Sequence, residues 1–156
     1  MRHALAAFAM LLIAACSSSS QPAFTTGAAS VDPTYYCPGG VNNAPYDVHA
    51  TVHLHNGTAK AVTIDAVTAE MTVASVKGAW LEKVGDRYDA DAKFAPATVA
   101  AGGSAILNVT IPSACTSGKY GTGTSSSAEY TVTIRLATSA GKFTATADNQ
   151  HEIVAD

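Results

Sequence analysis

Charge and aromatics are both scarce in this chain. Only 13% of its 156 residues are Asp, Glu, Lys or Arg, and 7% are Phe, Trp or Tyr, with a single Trp. Nine Lys plus Arg against twelve Asp plus Glu leave a net charge of -3, so the basic surface on which phosphate-dominated nucleic-acid binding depends is lacking. The Leu, Glu and Lys that fill helical bundles are thin as well, and Ala, Ser, Thr and Gly take their place, the composition of a small-residue β protein. No G-x-S-x-G, no H-E-x-x-H and no Gly-rich loop feeding a helix occurs, which removes the common hydrolase, zinc-protease and nucleotide-binding signals. What is there is about one ordinary domain's worth of chain, long enough to bury a sizeable core.

The first fifteen residues have the layout of a secretory signal: Arg2 and His3, an apolar run from Ala4 to Ile13, then small residues. That run is too short to cross a bilayer as a permanent helix. It ends in Ile13, Ala14, Ala15 and Cys16, which resembles the bacterial lipobox, an aliphatic residue and two small ones before a cysteine that is lipidated and becomes the mature N-terminus. The resemblance implies cleavage before Cys16, acyl chains such as palmitate on that residue, and attachment to the membrane through them. It also implies outer-membrane sorting as the default in a Gram-negative cell, since Ser17 rather than Asp follows the cysteine. Behind it, residues 16–34 are rich in Ser, Thr and Ala and read as a tether with too little apolar surface to offset its ordering entropy. The folded domain is expected over 35–156.

With Cys16 lipidated, the remaining cysteines of the three are an even pair, Cys37 and Cys115, in an oxidising compartment. They are expected to be bonded, closing residues 38–114 into one loop. By the chain-entropy model a loop of that length stabilises a fold by roughly 4 to 5 kcal/mol. Neither belongs to a C-x-x-C or has a His within four residues, which weakens a metal or redox reading.

Period-2 alternation is clear from Tyr46 to His55, with Val48, Ala50, Val52 and Leu54 on one face and Asp47, His49, Thr51, His53 and His55 on the other. The turn pair Asn56-Gly57 closes that strand. Alternation resumes through Val62 and Ile64, skips one position and continues at Val67, Ala69, Met71 and Val73, a phase slip that suggests a β-bulge or a strand changing sheets. A helix from Asp65 to Val84 is the rival, opposed by β-branched Val67, Thr68, Thr72, Val73 and Val76 and by Gly78. A short strand is expected around Trp80 to Val84, then a polar loop from Gly85 to Lys93. Leu107, Val109 and Ile111 alternate up to a stop at Pro112, and Ser113 to Ser127 read as a long loop. The last hairpin pairs Tyr130, Val132, Ile134 and Leu136 with Phe143, Ala145 and Ala147 across Ser139-Ala140-Gly141.

The stretch from Thr98 to Pro112, with Gly102-Gly103 ahead of a strand, resembles bacterial immunoglobulin-like and fibronectin type III-like modules, where a Gly-rich turn precedes a strand. Together with the turn spacing this points to an all-β, immunoglobulin-like two-sheet antiparallel β-sandwich of about seven strands. Trp80 lies far from Cys37, so the expectation is that architecture without the disulfide placement of antibody domains.

Chemistry-bearing residues are few. His49, His53 and His55 share one strand face; His53 and His55 are spaced to chelate one metal ion, and imidazole suits Zn(II) and Cu(II). A solvated polar face is the competing reading. His151 reads as a lone surface or edge residue. Asp86, Asp89 and Asp91 fall in the polar loop, at a spacing oxygen ligands use for Ca²⁺ but without the order of an EF-hand. Tyr35, Tyr36, Tyr46 and Tyr120 form either an aromatic contact patch or ordinary packing. The sequence therefore reads as a lipid-anchored, non-catalytic envelope protein without a cofactor. It would act as a binding or structural module toward an envelope protein or a glycan, with a metal-binding envelope protein using His53 and His55 as the alternative.

Overall fold

The computed structural model describes residues 23–39, 43–115 and 126–155. They form eleven strands: β1 (Phe24–Val31), β2 (Thr34–Cys37), β3 (Ala44–Asn56), β4 (Val62–Lys77), β5 (Arg87–Asp91), β6 (Lys93–Ala95), β7 (Thr98–Val99), β8 (Ser104–Cys115), β9 (Ser126–Thr138), β10 (Gly141–Thr146) and β11 (His151–Ala155). One sheet has the order β1-β3-β8-β6 and the other β2-β11-β9-β4-β5, with β10 and β7 also paired to the second. The orders β1-β3-β8-β6 and β11-β9-β4 reproduce the two halves of an immunoglobulin-type sandwich, with β5 as the extra strand beside β4.

The excess over seven strands has three sources. The first strand of such a sandwich is divided here: β1 pairs with β3 in one sheet, and after Asp32-Pro33 the chain crosses to pair as β2, in parallel, with β11 of the other. The last strand is divided too, because β10 and β11 both pair with β9 and are interrupted at residues 147–150. Short β5 and β7 complete the count.

Alternation built the core where it was strongest. Val48, Ala50, Val52 and Leu54 of β3, Leu107, Val109 and Ile111 of β8, and Val132, Ile134 and Leu136 of β9 are all buried between the sheets. The phase slip in β4 is a bulge between Ile64 and Ala66, with a second irregularity between Val73 and Ser75, and the strand stays in one sheet throughout. No part of 65–84 is helical.

Four expectations are corrected. Residues 24–31, assigned to the tether, are β1 of the domain; Phe24, Ala29 and Val31 bury inward, and a register shift between Thr26 and Ala29 breaks the alternation that would have revealed them. Trp80 to Val84 form bends and turns rather than a strand, while the polar stretch after Gly85 holds β5, an exposed edge whose partner is β4. Pro112 does not end β8, which runs on to Cys115. Because β6 pairs with Asn108 to Thr110, β8 has no second neighbour at Pro112 among the described residues, the kind of position at which a strand tolerates proline.

Cys37 and Cys115 are bonded, with Cα atoms 5.8 Å apart, and join β2 of one sheet to the end of β8 in the other. The bridge is thus inter-sheet, but not between the second and sixth strands as in antibody domains. At the edge formed by β1 and β10, Phe24 packs edge-on against Phe143 with ring centroids 4.9 Å apart.

Candidate functional site

Three groupings of polar side chains stand out. The first lies where the chain crosses between sheets. His151, at the start of β11, is 1% exposed, which corrects its reading as a surface residue. Its Nδ1 donates to the Asp32 carbonyl at 2.7 Å, leaving Nε2 as the acceptor for the Tyr46 hydroxyl at 3.2 Å. Burial pushes the His151 pKa below its ordinary value, against the opposing pull of Asp32, so the ring is neutral at pH 7. Burial likewise pushes Tyr46 up to about 12. Tyr35 stacks on Tyr46 with centroids 3.8 Å apart. The exposed Asp32 carboxylate accepts from the His49 backbone N–H at 2.9 Å and sits 3.0 Å from the His49 Nδ1.

A second grouping borders a recess of about 270 Å³ between the sheets, floored by Met71, Tyr130 and Ile153 and flanked by Tyr88, Pro112 and Ser113. Trp80 Nε1 donates to Glu82 at 3.2 Å and to the Tyr130 hydroxyl at 3.1 Å, and that hydroxyl donates in turn to Glu82. Burial first, and then the neighbouring Glu82 carboxylate, raise the Tyr130 pKa, so it persists as a neutral phenol rather than a base or nucleophile. Tyr88 closes the rim by donating to the Pro112 carbonyl at 2.6 Å.

The third grouping is the outer face of β3. His49, His53 and His55 are all exposed there, as the alternation required. His53 stands opposite Ile106 and His55 opposite Ser104, whose hydroxyl lies 3.0 Å from His55 Nδ1. A shallow depression of about 360 Å³ runs beside them, bounded by Thr25, Gly27 and Ile106. Among the described residues, no group of three or more His, Cys, Asp or Glu side chains is arranged to hold a metal ion.

The acidic trio is dispersed. Asp89 and Asp91 lie on β5, and Asp89 accepts from Arg135 at 3.2 Å, while Arg135 also donates to Glu70 at 2.8 Å. The Arg135 hydrogen bond holds the Glu70 carboxyl below the usual carboxylate range. Asp86 instead accepts from the Lys83 backbone N–H at 2.8 Å. Of the four tyrosines, Tyr35 and Tyr46 are stacked in the structure, Tyr36 is 70% exposed, and Tyr120 lies outside the described residues, as does Cys16. Sequence reasoning missed the Tyr46–His151–Asp32 and Trp80–Glu82–Tyr130 groupings, in which His151 and Tyr130 each lie far along the chain from the other two members. The alternation placing Tyr46 and Tyr130 inward was the available signal. Among the described residues, no buried side-chain nitrogen or oxygen lacks a hydrogen-bond partner.

No family model matches the chain, and no curated protein matches it. Among solved structures, it is similar to AggA, the major subunit of aggregative adherence fimbriae type I from Escherichia coli, at 9% identity and a TM-score of 0.35, over 85% of this chain and 95% of that one. The CooA pilin subunit from enterotoxigenic Escherichia coli matches at 10% identity and a TM-score of 0.31, over 83% and 98%. PapD-like domain 7 of human CEP192 matches at 12% identity and a TM-score of 0.30, over 98% and 96%. At these values the likenesses carry no argument about what this chain does.

Proposed function

We propose that the chain is a lipid-anchored, non-catalytic module of the bacterial cell envelope. Its leader exports it, cleavage precedes Cys16, acyl chains on that residue hold it to the membrane, and the sandwich acts as a binding or structural unit toward an envelope protein or glycan. One observation supports the non-catalytic part above others: the buried groups able to do chemistry are engaged with one another. His151 and Tyr46 link β11 to β3 and to the sheet crossover, and Tyr130 with Trp80 fixes Glu82 at the mouth of the recess. Such contacts position strands and commit the His151 ring and the Tyr46 and Tyr130 hydroxyls to partners within the fold rather than to a substrate. The bonded cysteines suit an oxidising compartment, and the segment between Cys16 and β1 is only residues 17–23.

The test compares the full chain with a Cys16→Ser variant in a bacterium that lipidates its exported proteins. The parent should fractionate with membranes and the variant should be released in soluble form or remain unprocessed. Equal membrane retention of both at unchanged mass would overturn the reading.

A further inference from the structure

The point at which the chain enters the sandwich is fixed, and it lies at one end of the long axis. Ala23 precedes β1, and its carbonyl accepts from Gly57 N–H at 3.0 Å, which locks the entry to the β3–β4 turn. A Cβ on Gly57 would stand 3.0 Å from that same carbonyl, so the close approach depends on glycine here. Buried Asn56 then ties the turn to the β7–β8 loop, donating from Nδ2 to Lys60, Val99 and Ala100 carbonyls at 2.8, 3.1 and 3.1 Å. Gly102 N–H reaches the Thr58 carbonyl, and Ser139 in the β9–β10 turn bonds the Thr63 backbone. Three turns and the chain entry therefore form one rigid end.

Whatever conformation residues 17–23 take, they span at most about 25 Å. The 13 residues of β3 run from this end to the opposite one, about 40 Å at the rise of a strand. A lipid anchor at Cys16 thus excludes an inverted domain, in which the turn end would point away from the bilayer. The chemistry of the turns then favours standing over lying flat. Their exposed residues include Ala59, Ala61, Ala100, Ala101, Ser139 and Ala140 with Lys60 and Lys142, and the turns hold no carboxylate; the first along β4 is Asp65, in the bulge. The far end is mixed in charge, with Glu82 and Asp86 beside exposed Lys77 and Lys83, and it also carries exposed Leu81 and Val84.

From this we propose that the turn end, 56–61, 100–103 and 139–142, faces an anionic lipid surface, with Lys60 and Lys142 at the headgroups and the Leu81–Val84 end held outward. The proposal rests on lipidation of Cys16. Small uncharged tips carry little desolvation cost at a headgroup layer, and each lysine near an anionic surface is attracted to it.

The experiment uses the lipidated full chain reconstituted in vesicles of phosphatidylglycerol and phosphatidylethanolamine. Single Ala59→Cys, Ala101→Cys, Asn108→Cys and Val84→Cys variants carry a fluorophore, and the lipid headgroups carry a quencher. Flotation with the vesicles is scored first, so that a failure of the anchor is seen as protein left in the soluble fraction. In floating protein, quenching at Ala59 and Ala101 should exceed that at Val84 and Asn108 several-fold. K60Q/K142Q should reduce that ratio by about half or more. Quenching at Asn108 equal to that at Ala59 would mean the domain lies on its β1-β3-β8-β6 sheet and would overturn the proposal. So would strongest quenching at Val84, no quenching at any site, or a ratio indifferent to the two lysines.

Discussion

Removing the bridge between Cys37 and Cys115 gives the sharpest test of how the two sheets are held together. The bond closes a sequence separation of 78 residues, and by the chain-entropy model a loop of that length lowers the entropy of the unfolded chain by an amount worth about 4 to 5 kcal/mol at 25 °C. The native contacts of the bridge add a local effect. Strand β2 has four residues and, among the described residues, pairs only with β11, so apart from the chain crossing at Asp32-Pro33 the bond to β8 is its covalent tie to the opposite sheet. A Cys37→Ala/Cys115→Ala variant of residues 23–156 should therefore lose about 4 kcal/mol in urea unfolding. At an m-value near 2 kcal/mol/M this moves the midpoint down by roughly 2 M. The melting temperature should fall by on the order of 10 to 20 °C. Native-state hydrogen exchange should show the loss first at the amides of β2 and the facing part of β11, with β3, β8 and β9 protected longest. A loss below about 1 kcal/mol, or uniform acceleration of exchange across both sheets, would refute the assignment of this bridge as the principal clamp on the crossover strand.

Because burial lowers the His151 pKa while the unfolded value is near 6.5, the unfolded chain binds more protons between the two values. Stability should be level with respect to histidine titration above about pH 6.5 and fall as pH drops below it; urea midpoints from pH 5 to 8 check this, and His151→Gln should flatten the trend, whereas an identical slope in the variant would contradict it. Tyr46→Phe should cost about 1 to 3 kcal/mol by leaving His151 Nε2 buried without a donor, measured as a change in unfolding free energy. On β8, Leu107→Ala should cost about 2 to 5 kcal/mol. Its neighbour Ile106 is 50% exposed, and Ile106→Ala should change stability by less than about 0.5 kcal/mol; equal effects would mean the inward and outward faces are misassigned. Finally, a His53→Gln/His55→Gln variant should melt like its parent with and without micromolar Zn²⁺ or Cu²⁺, and a metal-dependent rise of several degrees lost on substitution would establish a metal site on β3.

What the sequence made legible follows the strength of local periodicity. The inward sets of β3, β8 and β9 alternate without interruption, and those strands appear where the pattern put them, β8 running on past the expected stop at Pro112; the bulge likewise falls at the skipped position after Ile64. Strand β1 was lost because its inward residues are Phe24, Ala29 and Val31 among Ser, Thr, Gly and Ala, with an irregularity between them, and such a segment gains its order from pairing with β3 rather than from its own composition. Strand β5 is an exposed edge of charged residues, held by pairing with β4 and by Arg135 reaching Asp89, neither of which leaves a hydrophobic signature. His151 looked peripheral because only its place near the chain's end was visible; its burial depends on Asp32 and Tyr46, more than one hundred residues away. The exposed row of His49, His53 and His55, in contrast, was given directly by the period of the strand.

Everything proposed about this protein's place in the cell turns on the chemistry of Cys16, and the mass of the N-terminal peptide of mature protein isolated from bacterial envelopes reads it directly. The chain should begin at Cys16, with residues 1–15 absent and the mass of a lipid and acyl chains added to that cysteine. An unmodified Cys16, whether in a chain retaining its first fifteen residues or in one cut elsewhere, would contradict this expectation.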